Sequence, residues 1–228
     1  MSRQGGTTTG QNQIKITIKF GFKSNPKIPA LYSEVDILGM NIKTNWRVVT
    51  GGPSSGKTKV IEYLAFLGYR IFPEAARLLL DIEQSKGKTI KELRKNEIEF
   101  QKKVLQMKIE AERRLPPKQI IFFDRGIPDS IAYYRLYREN PAPVIKASQK
   151  RKYKKVFLLE QLPFEKDYAR IEDEDFAKNI QQLLYQSYLD LGYEVVKVPL
   201  GTIEERVKFI LAKTQPYKKV ANIVRPFI

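Results

Sequence analysis

Two hydrophobic periods alternate along this chain. From Gln13 to Phe20, Ile14, Ile16, Ile18 and Phe20 fall on one face and Lys15, Thr17 and Lys19 on the other, the two-residue repeat of a half-buried strand. Trp46 to Thr50, Tyr69 to Phe72, Gln119 to Phe123, Val156 to Leu159 and Tyr193 to Val198 are short, mainly apolar runs that fit core strands. Helical stretches separate them. Lys57 to Leu67 carries Val60, Ile61, Leu64, Ala65 and Leu67 at helical spacing, with Gly68 placed to end it. Glu74 to about Ser85 and Asp129 to Arg138 read as further helices, as does Phe176 to Leu191, which stops at Gly192. Thr89 to Glu92 and Thr202 to Glu205 both fit a capping box. The first opens a long charged helix running to Arg114, and the second opens a last helix running to about Lys213.

Strands that alternate with helices predict parallel βαβ units wound on both sides of one sheet. The expected architecture is a three-layer α/β/α fold with a five-stranded, mostly parallel sheet, and the stretch Gly51 to Thr58 that follows the first core strand makes it a P-loop NTPase fold. In this scheme residues 1–43 form an N-terminal extension that adds an edge strand, residues 44–213 the main domain and residues 214–228 a tail. Right-handed crossovers then bring the strand ends, and whatever chemistry follows them, to one carboxyl edge.

The first core strand runs into Gly51-Gly52-Pro53-Ser54-Ser55-Gly56-Lys57-Thr58, which fits G-x-x-x-x-G-K-[ST]. The glycines let successive backbone N–H groups converge on phosphate oxygens, Lys57 supplies a mobile cation, and the Thr58 hydroxyl is a Mg²⁺ ligand. Strand, loop and helix are the context that this motif requires. Asp124-Arg125-Gly126 closes the third core strand and puts a carboxylate where ligands of such sheets bind. Glu74 follows the second strand and is expected at the same edge.

Composition narrows the chemistry. The chain has no cysteine and no histidine, so disulfides, thiol nucleophiles and imidazole metal sites are excluded, and acid–base work falls to Asp, Glu, Lys or Tyr. The 41 basic and 25 acidic residues leave a charge of +16, which attracts phosphate-rich partners without naming them. Six cations lie between Lys146 and Lys155, a run that fits either a solvated loop or a surface for a lipid headgroup or nucleic acid. No apolar run reaches the roughly 18 residues of a membrane span, and the polar first residues do not resemble a signal peptide, so a cytoplasmic location is expected.

Taken together, Gly51 to Thr58, Phe72-Pro73-Glu74-Ala75-Ala76-Arg77, Phe123-Asp124-Arg125-Gly126-Ile127-Pro128-Asp129-Ser130, Val156 to Leu159, and Tyr193 to Pro199 with Glu204 to Val207 resemble one family. It is the small AAA-type P-loop domain shared by the NadR ribosylnicotinamide kinase domain and the Ttd-type GTP- and lipid-binding trafficking proteins. The resemblance spans roughly residues 44–213.

It implies an ATP- or GTP-binding, Mg²⁺-dependent ATPase or small-molecule kinase acting on a nucleoside-like acceptor. A kinase needs a carboxylate for the acceptor hydroxyl, cations for the migrating charge and a metal bridging the phosphates. Glu74 is the candidate for the acceptor, Asp124 with Thr58 for Mg²⁺, and Lys57 and Arg125 for phosphate. Arg170 stands where kinases of this kind carry an arginine-bearing lid. Glu74 also fits a residue favoured at a helix N-terminus, and Asp124 a cap on the next turn. A second class stays open, in which the protein is a nucleotide-dependent switch that binds a phospholipid, RNA or protein with little catalysis.

Overall fold

The computed structural model describes residues 41–162 and 174–214. The predicted strand at residues 13–20, Arg170 and the tail beyond residue 214 lie outside the described residues. Seven strands and eight helices are described: β1 (Ile42–Lys43), β2 (Trp46–Thr50), α1 (Lys57–Phe66), β3 (Arg70–Phe72), α2 (Ala75–Gln84), α3 (Ile90–Leu93), α4 (Glu97–Arg114), β4 (Ile121–Asp124), α5 (Asp129–Leu136), α6 (Ala142–Ser148), β5 (Arg151–Lys152), β6 (Lys155–Leu159), α7 (Glu174–Leu189), β7 (Val195–Val198) and α8 (Ile203–Thr214).

The five apolar runs become one sheet, ordered β3-β4-β2-β6-β7, in which every pairing is parallel. Strand β2 sits at its centre, with Val49 level with Asp124 of β4 and Phe157 of β6. Successive residues serve opposite faces. Val48 and Phe123 join Leu79 of α2, Phe100 and Val104 of α4 and Tyr188 of α7 on one side. Val49 and Phe122 join Val60 and Leu64 of α1 and Val207 and Ile210 of α8 on the other. The three-layer α/β/α P-loop fold expected from the sequence is therefore present.

Three local expectations need correction. The charged stretch from Thr89 is two helices, because Arg94 to Asn96 leave helical geometry. The Thr89–Glu92 capping box starts a helix of one turn, and the Asn96 side chain then accepts from Glu99 N to start α4. The basic run at residues 146–155 is not one loop. It passes through the end of α6, the short strand β5 paired with β1, and the start of β6. The span between α5 and that run, whose residues Pro141 and Pro143 read from the sequence as a Pro/Ala loop, contains α6 itself, with Val144 buried against Ile131 and Tyr134.

Helix α4 carries polar groups into the interior. Lys108, 4% exposed, donates from Nζ to Gly126 O at 2.8 Å and Ser130 Oγ at 3.2 Å. One turn on, Glu112 accepts from the Tyr153 hydroxyl, which itself accepts from Ile127 N. The turn after β4 is thus held from below by α4, the helix that precedes that strand.

Burial pushes Glu112 from 4.5 up to about 7, against the opposing pull of the Tyr153 hydroxyl and Arg151. The raised value means that the folded state holds a proton that the unfolded chain releases. The associated stability is present below the unfolded value and is lost as pH rises through 7, a swing of about 3 kcal/mol. Glu112→Gln should therefore melt higher than wild type at about pH 8, with the gap closing towards about pH 5. Parallel thermal melts at the two pH values check this, and a gap independent of pH would contradict it.

Candidate active site

The loop from Gly51 to Lys57 leaves β2 at the carboxyl edge of the sheet and enters α1 through Gly56, whose φ of 76° is left-handed. A side chain there would meet both that strain and the Arg206 guanidinium, 3.2 Å from a built Cβ. The first N–H groups of α1 have no helical acceptors and face the loop's concavity, as an anion site requires. Lys57 folds back across the loop: its Nζ donates to Gly52 O at 2.8 Å and Ser55 Oγ at 3.2 Å. Pro53 and Ser54 are half-buried at the crown, and Thr58 is exposed at the second position of α1.

Three residues that the motif does not contain hold this loop from outside. Arg206 of α8, 3% exposed, donates to Ser55 O at 2.7 Å, Glu160 O at 2.6 Å and Pro199 O at 3.0 Å. Gln181 of α7 accepts from Gly52 N and donates to Leu159 O at 3.0 Å. Gln161 reaches Pro53 O at 3.4 Å and Ala177 O at 2.9 Å. By occupying carbonyls on the outer side, Arg206 and Gln161 leave the loop's N–H groups, apart from that of Gly52, for its inner side. Arg206 lies within one of the stretches that carry the family resemblance, but nothing in the local pattern sets it apart from a surface cation. Gln161 and Gln181 carry no sequence signal.

Asp124 ends β4 beside the loop, 4% exposed, and its Oδ1 is buried without a hydrogen-bond partner. It does not cap the following turn. That role falls to Asp129, which accepts from Gly126 N at 2.9 Å. Arg125, between them, has a φ of 66°, a strained conformation for a residue with a side chain. Its guanidinium is fixed from two sides, with Nε donating to Glu74 Oε1 at 2.9 Å and Nη1 to Asp129 Oδ1 at 3.2 Å. Glu74 occupies the N-cap position of α2, yet its side chain makes no capping bond and is turned to Arg125 instead. The structure thus brings Lys57, Glu74, Asp124 and Arg125 to one edge. Arg77, one turn past Glu74, is exposed at the surface.

Electrostatics bind these groups into one unit. Burial lowers the Lys57 ammonium, as does the Arg125 charge, while Asp124, Glu74 and Asp129 pull it back up. Burial and then Glu74 raise the Asp124 carboxyl, against Arg125 and Lys57. Glu74 behaves differently: burial would raise it, but Arg125 and Lys57 together outweigh that and leave it below the ordinary value. Glu74 is therefore a settled carboxylate, while Asp124 and Lys57 are charges short of counter-charge and solvent. Among the described residues no group of three or more Asp, Glu, His or Cys gathers into a protein-built metal cage. One buried carboxylate oxygen and one hydroxyl near a phosphate loop match the donor set of Mg²⁺ carried in on phosphates.

A family model described as AAA domain matches residues 46–206, most of the chain. The chain belongs to the AAA domain family. Among solved structures, this AAA domain is similar to NadR in complex with NR, at a TM-score of 0.58 and 18% identity over 78% of the chain and 54% of that one. It is similar to deoxyadenosine kinase from M. mycoides with the products dCMP and dCDP bound, at 0.50 and 17%, over 74% and 97%. Thymidylate kinase from Ehrlichia chaffeensis aligns at 0.51 and 14%, over 75% and 98%. These likenesses establish the P-loop fold, and the chain spans about half the length of the NadR protein. No curated protein matches the chain by sequence. No helix among the described residues is long and apolar enough to cross a membrane.

Asp129→Ala would leave the Arg125 guanidinium half-paired and the Thr50 hydroxyl, Gly126 N and the Tyr188 hydroxyl without their acceptor, and should cost on the order of 3–5 kcal/mol of stability. Asp129→Asn keeps acceptor atoms and should lose less. Urea titration of both checks the order, and an alanine variant as stable as wild type would contradict it.

Proposed function

We propose that this AAA domain, residues 44–213, is a Mg²⁺-dependent phosphotransferase that moves the γ-phosphoryl group of ATP or GTP to a small, nucleoside-like acceptor. The observation that carries this reading is Glu74. Its carboxylate, placed at a helix N-terminus, forgoes the cap and is held ionised by Arg125 beside the unpartnered Asp124 oxygen. A protein that only bound nucleotide phosphates would gain nothing from an anion kept there.

The roles follow from charge and position. The loop N–H groups left open between Pro53 and Thr58, together with Lys57, bind the triphosphate, and its negative charge replaces the solvation that Lys57 loses by burial. Thr58 and Asp124 would hold Mg²⁺, whose charge offsets the phosphates and counters the push of burial on the Asp124 carboxyl. Glu74 orients the acceptor hydroxyl and takes its proton. Arg125, fixed by Asp129, sets the position of Glu74 and faces the charge that develops on the transferring group. Similarity to NadR with NAD and AMP-PNP bound, at a TM-score of 0.57 and 17% identity over 78% of the chain and 52% of that one, supports a nucleotide in the loop.

One observation favours a second reading, a nucleotide-dependent switch for an anionic partner. A cavity of about 900 Å³ opens between α2, α3 and α4, walled by Leu79, Phe100 and Tyr137 and rimmed by Glu83, Lys88 and Glu97. Another, of about 350 Å³, lies at the opposite end of β2. Neither of these two cavities is lined by Glu74 or Asp124.

Two variants separate the readings. Lys57→Ala should weaken triphosphate binding at least tenfold, about 1.4 kcal/mol or more. Glu74→Gln should leave that affinity unchanged and lower phosphoryl transfer to a nucleoside panel at least a hundredfold, within the range for a general base. Nucleotide titrations and transfer assays with Mg²⁺ check both. Unchanged binding in the lysine variant removes the loop assignment, and equal transfer by the glutamine variant and wild type makes Glu74 structural.

A further inference from the structure

The amino-terminal edge of the sheet carries a second concentration of positive charge, separate from the phosphate loop. The 350 Å³ cavity there is lined by Lys43, Lys118, Lys152 and Lys154 together with Thr44 and Asn45, and among the described residues no carboxylate lines it. Lys43 and Lys152 are paired across the parallel β1–β5 bridge, which sets two ammonium stems side by side. Like charges so placed repel, and folding alone gives no reason to gather two more lysines beside them.

The surrounding backbone is stitched rather than loose. Thr44 donates from N and Oγ1 to Lys152 O at 2.9 and 3.0 Å. Asn45 donates from N to Pro117 O at 2.7 Å and from Nδ2 to Lys118 O at 2.8 Å. Lys154 N reaches Trp46 O at 2.8 Å. Three segments distant in sequence are thereby fixed with their lysines around one concavity. Two of the ammonium groups are steered by neutral groups alone. Lys152 Nζ donates to Leu191 O at 3.1 Å and Gly192 O at 3.3 Å and lies 3.9 Å from the Tyr193 ring centroid. Lys154 Nζ is 3.4 Å from Asn45 Oδ1. Among the described residues none of the four lysines has a carboxylate within ion-pair distance.

We propose that this cavity is a second anion site, taking a small, multiply charged phosphate compound of the phosphomonoester or pyrophosphate type. Its size suits a small ligand rather than an extended strand. Four positive charges without counter-ions among the described residues match an anion of two or more charges. The length of β2, about 16 Å, separates it from the triphosphate loop, so both sites can be filled at once. The assignment does not depend on whether the loop's nucleotide is hydrolysed or transferred.

The test titrates the full chain with pyrophosphate by calorimetry, with excess Mg²⁺ and the loop saturated with AMP-PNP. Saturable binding of one pyrophosphate is expected, weakened at least tenfold in Lys43→Ala/Lys154→Ala and, independently, in Lys118→Glu. AMP-PNP affinity should be the same in all three proteins, which also shows that the variants fold. Three results would each overturn the proposal: no pyrophosphate binding once AMP-PNP is bound, equal affinity in the variants, or binding seen only with single-stranded RNA of increasing length.

Discussion

The site depends on a single buried carboxylate. Asp129, fully buried at the start of α5, accepts from the Thr50 hydroxyl, the Arg125 guanidinium, Gly126 N and the Tyr188 hydroxyl. Those four donors come from the end of the central strand, from the turn after β4 and from α7. One charged group therefore joins the strand that feeds the phosphate loop, the turn that carries Asp124 and Arg125, and a helix of the covering layer. A buried carboxylate is tolerated only when its lone pairs are used, and here four donors use them. Gly126 shows how tight the arrangement is, since a Cβ there would lie 2.9 Å from both the Tyr153 and Tyr188 hydroxyls.

With Asp129 in place, the strained Arg125 backbone and the diversion of Glu74 from its helix have a common cause. Arg125 turns into the left-handed region so that its guanidinium bridges Asp129 and Glu74, and two charge-assisted bonds outweigh the roughly 1 kcal/mol of backbone cost. Lys57 and Asp124 are left with less compensation. Both are buried, and burial drives each towards its neutral form. Such uncompensated charge weakens a fold and is relieved by a ligand that carries the complementary charges. Stability and ligand affinity are thus opposed at these two residues.

Much of this was legible from residue order. The phosphate loop, the five core strands and the Glu74 and Asp124 positions followed from local pattern plus the rule that parallel strands gather their ends at one edge. Asp129 stood in the Asp-Arg-Gly-Ile-Pro-Asp stretch without an assigned role, because a hub is defined by donors from Thr50 and Tyr188, far apart in sequence. Arg206 and Gln181 were invisible for the same reason: each acts on loop backbone more than a hundred residues away. The break between α3 and α4 was missed because Arg94 and Lys95 suit a helix, and only the Asn96 cap interrupts it. The division of the basic run among α6, β5 and β6 depended on a two-residue bridge to β1, too short to register as a period.

The central claim is that the loop and the Glu74–Arg125–Asp124 edge form one cleft for a Mg²⁺-bound triphosphate and its acceptor. It is tested most directly by an experimental structure of the chain with Mg²⁺ and AMP-PNP. The β and γ phosphates should lie against Lys57 and the loop N–H groups, the ion should be held by Thr58 and Asp124, and the γ-phosphoryl group should face Glu74. A triphosphate seated in the loop with its terminal group turned away from Glu74, and Asp124 remote from the ion, would contradict it.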